Sequence, residues 1–71
     1  MANFSRLKLC RKQTNVTQKA LSDYLEISER AYQHYELGTR EPSFDTAIKL
    51  ADYFDVSLDY LVGRSDDPKR Y

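Results

Sequence analysis

The chain has little of what most protein chemistries require. Its 71 residues include one cysteine, one histidine, two glycines, two prolines and no tryptophan, and its formal net charge at pH 7 is zero. A single cysteine, Cys10, excludes an internal disulfide and makes a reducing, cytoplasmic compartment the expected setting. One histidine, His34, with the lone cysteine on a different predicted helix, excludes the paired ligands of a structural metal site. No phosphate-cradling glycine loop and no Ser/His/Asp order is present, so no enzyme and no cofactor are predicted. No apolar run is long enough to span a bilayer and no signal peptide is visible, which removes the membrane as a partner. No stretch alternates apolar and polar residues over strand length, so no sheet is expected.

What is present is a small all-α chain with ordinary hydrophobic content and abundant charge. Seventy-one residues make one domain with a modest core and leave no room for a separate ligand-binding domain, so no small-molecule ligand is expected. The neutral total argues at first against nucleic acid. Its distribution reverses that argument: residues 1–40 carry seven Lys/Arg and four Asp/Glu, and residues 41–71 carry four Lys/Arg and seven Asp/Glu. The first half is therefore +3 and the second −3, which suits an oriented contact with an anionic partner.

The stretch Thr17 to Gly38, TQKALSDYLEISERAYQHYELG, organises the chain. Thr17 is placed to cap one helix and Ser28 a second, with Glu29 in the second helix's first turn, where the dipole favours a negative charge. Tyr32, Tyr35 and Glu36 share one face of that second helix, and Gly38 stands where a C-cap glycine belongs. Two helices joined by so short a turn make a helix-turn-helix candidate. Before it, residues 4–13 are predicted helical, with Phe4, Leu7 and Cys10 repeating every three residues and Cys10 packing as a small hydrophobe. After it, Pro42 keeps Glu41 out of helix and Ser43 caps a fourth helix, FDTAIKLADYF, whose Phe44, Ala47, Ile48, Ala51 and Phe54 form a broad apolar face beside Leu50. Ser57 caps a short fifth helix ended by Gly63. The tail RSDDPKRY is polar and expected to fray.

The segments RLKLCR at 6–11, TQKALSDYL at 17–25, ISERAYQHYELG at 27–38, REPSFDTAIKLADYF at 40–54 and VSLDYLVG at 56–63 together resemble the lambda-repressor/Cro-like, XRE-type helix-turn-helix regulators. The resemblance implies a compact five-helix domain over residues 1–63, followed by the polar C-terminal tail 64–71. It implies residues 28–37 as a recognition helix reading double-stranded DNA, with a homodimer on a near-palindromic operator. Glu29, Arg30, Gln33 and His34 are the candidate base contacts, Arg30 being suited to the O6 and N7 acceptors of guanine. Thr17, Gln18, Thr39, Arg40 and Ser43 are the candidate phosphate contacts. By the same resemblance Arg11 and Glu36 pair as architecture. Asn15, Glu26 and Asp55 stand where the family usually has glycine, and Glu26 is the least comfortable of the three, at a cost of ~1 kcal/mol.

The function expected is a repressor covering a promoter. Tyr53, Leu58, Tyr60, Leu61 and Val62 are the candidate dimer surface, because a short terminal helix has little means of hiding so much apolar area. A different class of function, a protein-interaction module such as an antitoxin-like partner or adaptor, is favoured by the neutral charge, by Glu29 at a reading position and by Glu26 in the turn.

Overall fold

The computed structural model describes residue 4 and residues 6–70. The outer ends of the expected domain and tail, residues 1–3 and 71, lie outside the described residues. Five helices follow one another: α1 (Leu7–Gln13), α2 (Gln18–Leu25), α3 (Glu29–Leu37), α4 (Phe44–Phe54) and α5 (Leu58–Leu61). No strand occurs among the described residues.

The capping chemistry is local and repeated. The hydroxyl oxygens of Thr17, Ser28, Ser43 and Ser57 each accept the backbone N–H three residues on, at 3.0, 3.1, 3.2 and 3.0 Å. Each cap residue is extended, so four helices start where a Ser or Thr can satisfy one of the orphan donors of the first turn. α1 differs. It is expected from residue 4 but begins at Leu7, and its N-cap residue, Arg6, makes no side-chain cap because a guanidinium has only donors and cannot accept a first-turn N–H. Phe4 still reaches the core from outside the helix and accepts the Leu7 N–H at 3.0 Å.

The turns use left-handed backbone. Asn15, Glu26 and Asp55 have φ of 57°, 59° and 54°, in company with Gly38 and Gly63. The three positions where the family usually carries glycine are thus the three non-glycine residues that adopt the conformation glycine favours. Asn and Asp enter it readily; Glu26, between α2 and α3, has no such dispensation.

The core gathers one face from every helix: Phe4, Leu7 and Cys10, then Leu21 and Leu25, Tyr32 and Tyr35, Leu50 and Phe54, and Leu61. Leu7, Leu21, Leu50 and Leu61 retain no exposed surface, and each fully buried leucine contributes about 1.5–3 kcal/mol. Burial also pushes the Cys10 thiol pKa up, which keeps it protonated and unreactive. Ser22 fits in the same core because its hydroxyl donates to the Lys19 carbonyl at 2.8 Å.

Three expectations change. The buried face of α4 is Ala47, Leu50, Ala51 and Phe54, whereas Phe44 is 73 % and Ile48 37 % exposed. The stripe follows i, i+3, i+4 and i+7 from Ala47, which leaves Phe44 in the first turn and Ile48 beside the stripe. Leu61 is removed from the candidate dimer surface: packed under α4, its side chain is already fully buried in one chain.

The tail is also fastened rather than frayed. Arg6 donates to the Tyr60 carbonyl at 3.2 Å, to the Ser65 carbonyl and to Asp66, and lies 4.3 Å from the Tyr60 ring centroid. The Ser57 N–H donates to the Pro68 carbonyl at 2.9 Å, and Arg70 pairs with Asp52 and Asp55 of the α4 end.

Candidate nucleic-acid interface

α2 and α3 form the helix-turn-helix, with Glu26, Ile27 and Ser28 between them. The pose of α3 is fixed from behind. Tyr32 is fully buried, and Tyr35 nearly so, with the two rings edge to face at 6.4 Å. One turn on, Glu36 accepts from Arg11 of α1 through Nε at 2.6 Å and Nη2 at 3.4 Å. The two side chains are only 14 % and 5 % exposed, so this fork of charge-assisted bonds works largely out of water. Arg11 also donates to the Val16 carbonyl at 3.2 Å, which ties the α1–α2 turn into the same cluster.

Burial by itself would raise the Glu36 carboxyl pKa; hydrogen bonds from Arg11 and Gln18, with the Arg11 charge, outweigh it and hold the group below its ordinary value. The Tyr32 hydroxyl lies close enough to Glu36 and Arg11 to be felt by both, yet completes no hydrogen bond of ordinary geometry. Burial pushes its pKa far above the ordinary tyrosine value, so it remains a neutral phenol.

The outer face of α3 carries the sequence-predicted readers. Glu29, Arg30 and Gln33 are exposed and His34 is half-buried. Gln33 is already engaged, its Nε2 donating to Gln18 Oε1 at 3.3 Å. His34 Nδ1 lies 2.7 Å from the Thr39 hydroxyl, which orients the ring and engages Nδ1 rather than Nε2.

The candidate phosphate contacts fall into two sets. Thr17 and Gln18 belong to an open groove of about 1030 Å³ between the end of α1, the start of α2 and α3, which Glu29 and Gln33 also line. Thr39, Arg40 and Ser43 lie beyond the other end of α3, and of these Thr39 is held by His34 and Ser43 by its own cap and by Thr46 Oγ1 at 3.0 Å. Thr17 caps through its oxygen and keeps its hydroxyl proton for another acceptor.

Lys8, Lys12 and Lys19 line the groove as well, and sequence reasoning gave them no role. Their signal was available: Lys8 and Lys12 are four residues apart on one helix and share a face. The groove therefore presents three ammonium groups, the three carboxamides of Asn15, Gln18 and Gln33, and a threonine hydroxyl beside α3, with the Glu29 carboxylate as its exposed negative charge; the cations outnumber it, an arrangement suited to a polyanion.

At the far side, Leu58, Tyr60 and Val62 are half-buried against the core, and Tyr53 is 37 % exposed, its ring 4.9 Å from that of Tyr24. Ile48, Ala51, Val56 and Leu58 surround a shallow depression of about 350 Å³ with Arg70 at its edge.

Residues 7–61 match the family described as Helix-turn-helix. The chain is 50 % identical over 62 residues to the uncharacterized HTH-type transcriptional regulator YqaE of Bacillus subtilis, covering 86 % of this chain and 53 % of that protein. It is 37 % identical over 65 residues to the HTH-type transcriptional regulator ImmR of the same organism, covering 92 % and 51 %. It is 39 % identical over 59 residues to the cryptic phage CTXphi transcriptional repressor RstR of Vibrio cholerae, covering 83 % and 53 %. The chain spans about half the length of these relatives.

Proposed function

From the premise that the chain belongs to the XRE-type helix-turn-helix family of DNA-binding transcriptional regulators, we propose that it represses transcription by occupying a near-palindromic operator as a homodimer. The observation that carries the reading is the pairing of an exposed Glu29-Arg30 edge on α3 with a lysine-lined groove beside the same helix. The edge has the donors and acceptors that discriminate bases, and the groove has the charge that holds a phosphate backbone. Arg30 reads a guanine, Glu29 accepts from a cytosine or orients Arg30, and His34, steadied by Thr39, offers Nε2 to a base or phosphate. Thr17, Gln18, Thr39, Arg40 and Ser43 hold the backbone. The site of action is the cytoplasm.

Dimerisation uses the α4–α5 side, through Leu58, Tyr60, Val62 and Tyr53, with Ile48 adjoining. This side lies in the acidic half of the chain, which would then face away from DNA. A two-fold pair would set its recognition helices about 34 Å apart, one turn of the duplex.

Binding to a duplex carrying the chain's own promoter, followed across salt concentrations, tests the function. A reader of DNA loses affinity steeply with salt through counterion release and prefers its promoter over unrelated sequence. Absence of specific retention at any salt would transfer the chain to the protein-interaction class. Leu58→Glu, at a half-buried position, should shift sedimentation toward monomer and weaken operator binding in parallel.

A further inference from the structure

Four side chains form one directed line of hydrogen bonds from α1 to the outer face of α3. Arg11 has only donors and spends two of them on Glu36. The Glu36 carboxylate can only accept, so Gln18 must turn its amide nitrogen inward, and Nε2 donates to Glu36 Oε1 at 3.1 Å. The Gln18 carbonyl then faces the other way, and Gln33 donates Nε2 into it at 3.3 Å. Rotating either amide by a half-turn would oppose oxygen to oxygen or N–H to N–H. The line therefore has a polarity set at its charged end. Each amide is left with one uncommitted N–H.

Gln33 and Gln18 also share an environment. Both line the groove that Lys8, Lys12 and Lys19 line, which is where a phosphodiester would lie if α3 enters the major groove. We propose that Gln33 is a positioning residue for the phosphate contact: it holds Gln18 in the orientation that offers its second amide N–H to a phosphate, and it does not read a base. The inference rests on the DNA-binding reading above and replaces the expectation that Gln33 contacts a base.

The test compares wild type, Gln18→Ala, Gln33→Ala, Gln33→Glu and the double alanine variant on two duplexes, the preferred promoter sequence and an unrelated one of equal length. Gln33→Ala should weaken binding to both duplexes by the same factor, about two- to ten-fold, the equivalent of one hydrogen bond. The double variant should bind within about two-fold of Gln18→Ala alone, because Gln33 acts through Gln18. Gln33→Glu should be worse than Gln33→Ala, since a carboxylate faces the Gln18 carbonyl without a donor and repels the phosphate.

A binding-site selection with Gln33→Ala should return the wild-type base preferences. A changed preference at one base pair, additive losses in the double variant, or wild-type affinity in Gln33→Ala would each overturn the positioning role and leave the DNA-binding reading standing. Failure of wild type to bind either duplex at low salt would overturn that reading and the positioning role with it.

Discussion

The two ends of this helix bundle are fastened by the same kind of residue pair under opposite conditions. At the α3 end, Arg11 and Glu36 meet with 14 % and 5 % of their side chains exposed. At the α5 end, Arg6 meets an Asp66 that is 99 % exposed, and Arg70 meets Asp52 and Asp55 at 52 % and 89 % exposure. A desolvated pair leaves its survivor stranded when one partner is removed, whereas an exposed pair simply returns both groups to water. The helix α3 is thus held by a contact that resists partial failure poorly and fixes geometry well. The tail is held by contacts that fix little by themselves and depend on backbone bonds such as Ser57 to Pro68.

The contrast can be broken most severely at Glu36. Glu36→Ala should cost about 3–5 kcal/mol, a large share of what a domain of this size possesses, and calorimetry should show a greatly lowered or absent transition. The same pair gives a pH signature. Because the folded Glu36 pKa lies below its ordinary value of 4.5, the stability it contributes is complete above that value and is lost as pH falls through the lower folded value. Denaturant titrations below pH 4.5 should show a shallower acid loss in Glu36→Gln than in wild type.

Second in size is Leu61→Ala, with an expected loss of about 2–5 kcal/mol in urea unfolding. It would show that the α5 end is held by its buried leucine rather than by its surface charges. A smaller effect of opposite sign is expected at the turn between α2 and α3. Glu26→Gly removes the cost of a left-handed φ of 59° and should stabilise by up to about 1 kcal/mol, read as a raised melting temperature. The least is expected from Asp66→Asn, which should leave the melting temperature unchanged; a substantial drop would erase the distinction between the two ends.

Much of the fold was legible because its signals are local. Thr17, Ser28, Ser43 and Ser57 cap where they were expected to, since a short hydroxyl side chain before an apolar-periodic run has few other uses. Asn15, Glu26 and Asp55 were found by resemblance, as the positions where glycine is usual, and their positive φ supplies the physical reason. The buried Arg11–Glu36 pair was likewise reached only through resemblance, because 25 residues separate the partners and no periodicity connects them.

What escaped was long-range or a matter of degree. Arg6 reaches 54 to 60 residues along the chain, so the tail's attachment left no pattern in either segment. Leu61 and Leu58 are both apolar on one short helix, and only packing under α4 decides which is hidden. The role proposed for Gln33 rests on hydrogen-bond polarity, which needs the positions of all four side chains at once.

The buried pair behind α3 has a consequence for genetics. If the chain represses as proposed, a screen for loss of repression would score alleles at Arg11 or Glu36 alongside alleles at Arg30, although neither Arg11 nor Glu36 is among the proposed base contacts. The classes would separate by their suppressors. A defect at Arg30 could be rescued by a compensating base change in the operator. A defect at Glu36 could be rescued only within the protein, through a second change that removes the stranded Arg11 charge, and an apolar pair of similar volume at the two positions is the natural form of that revertant.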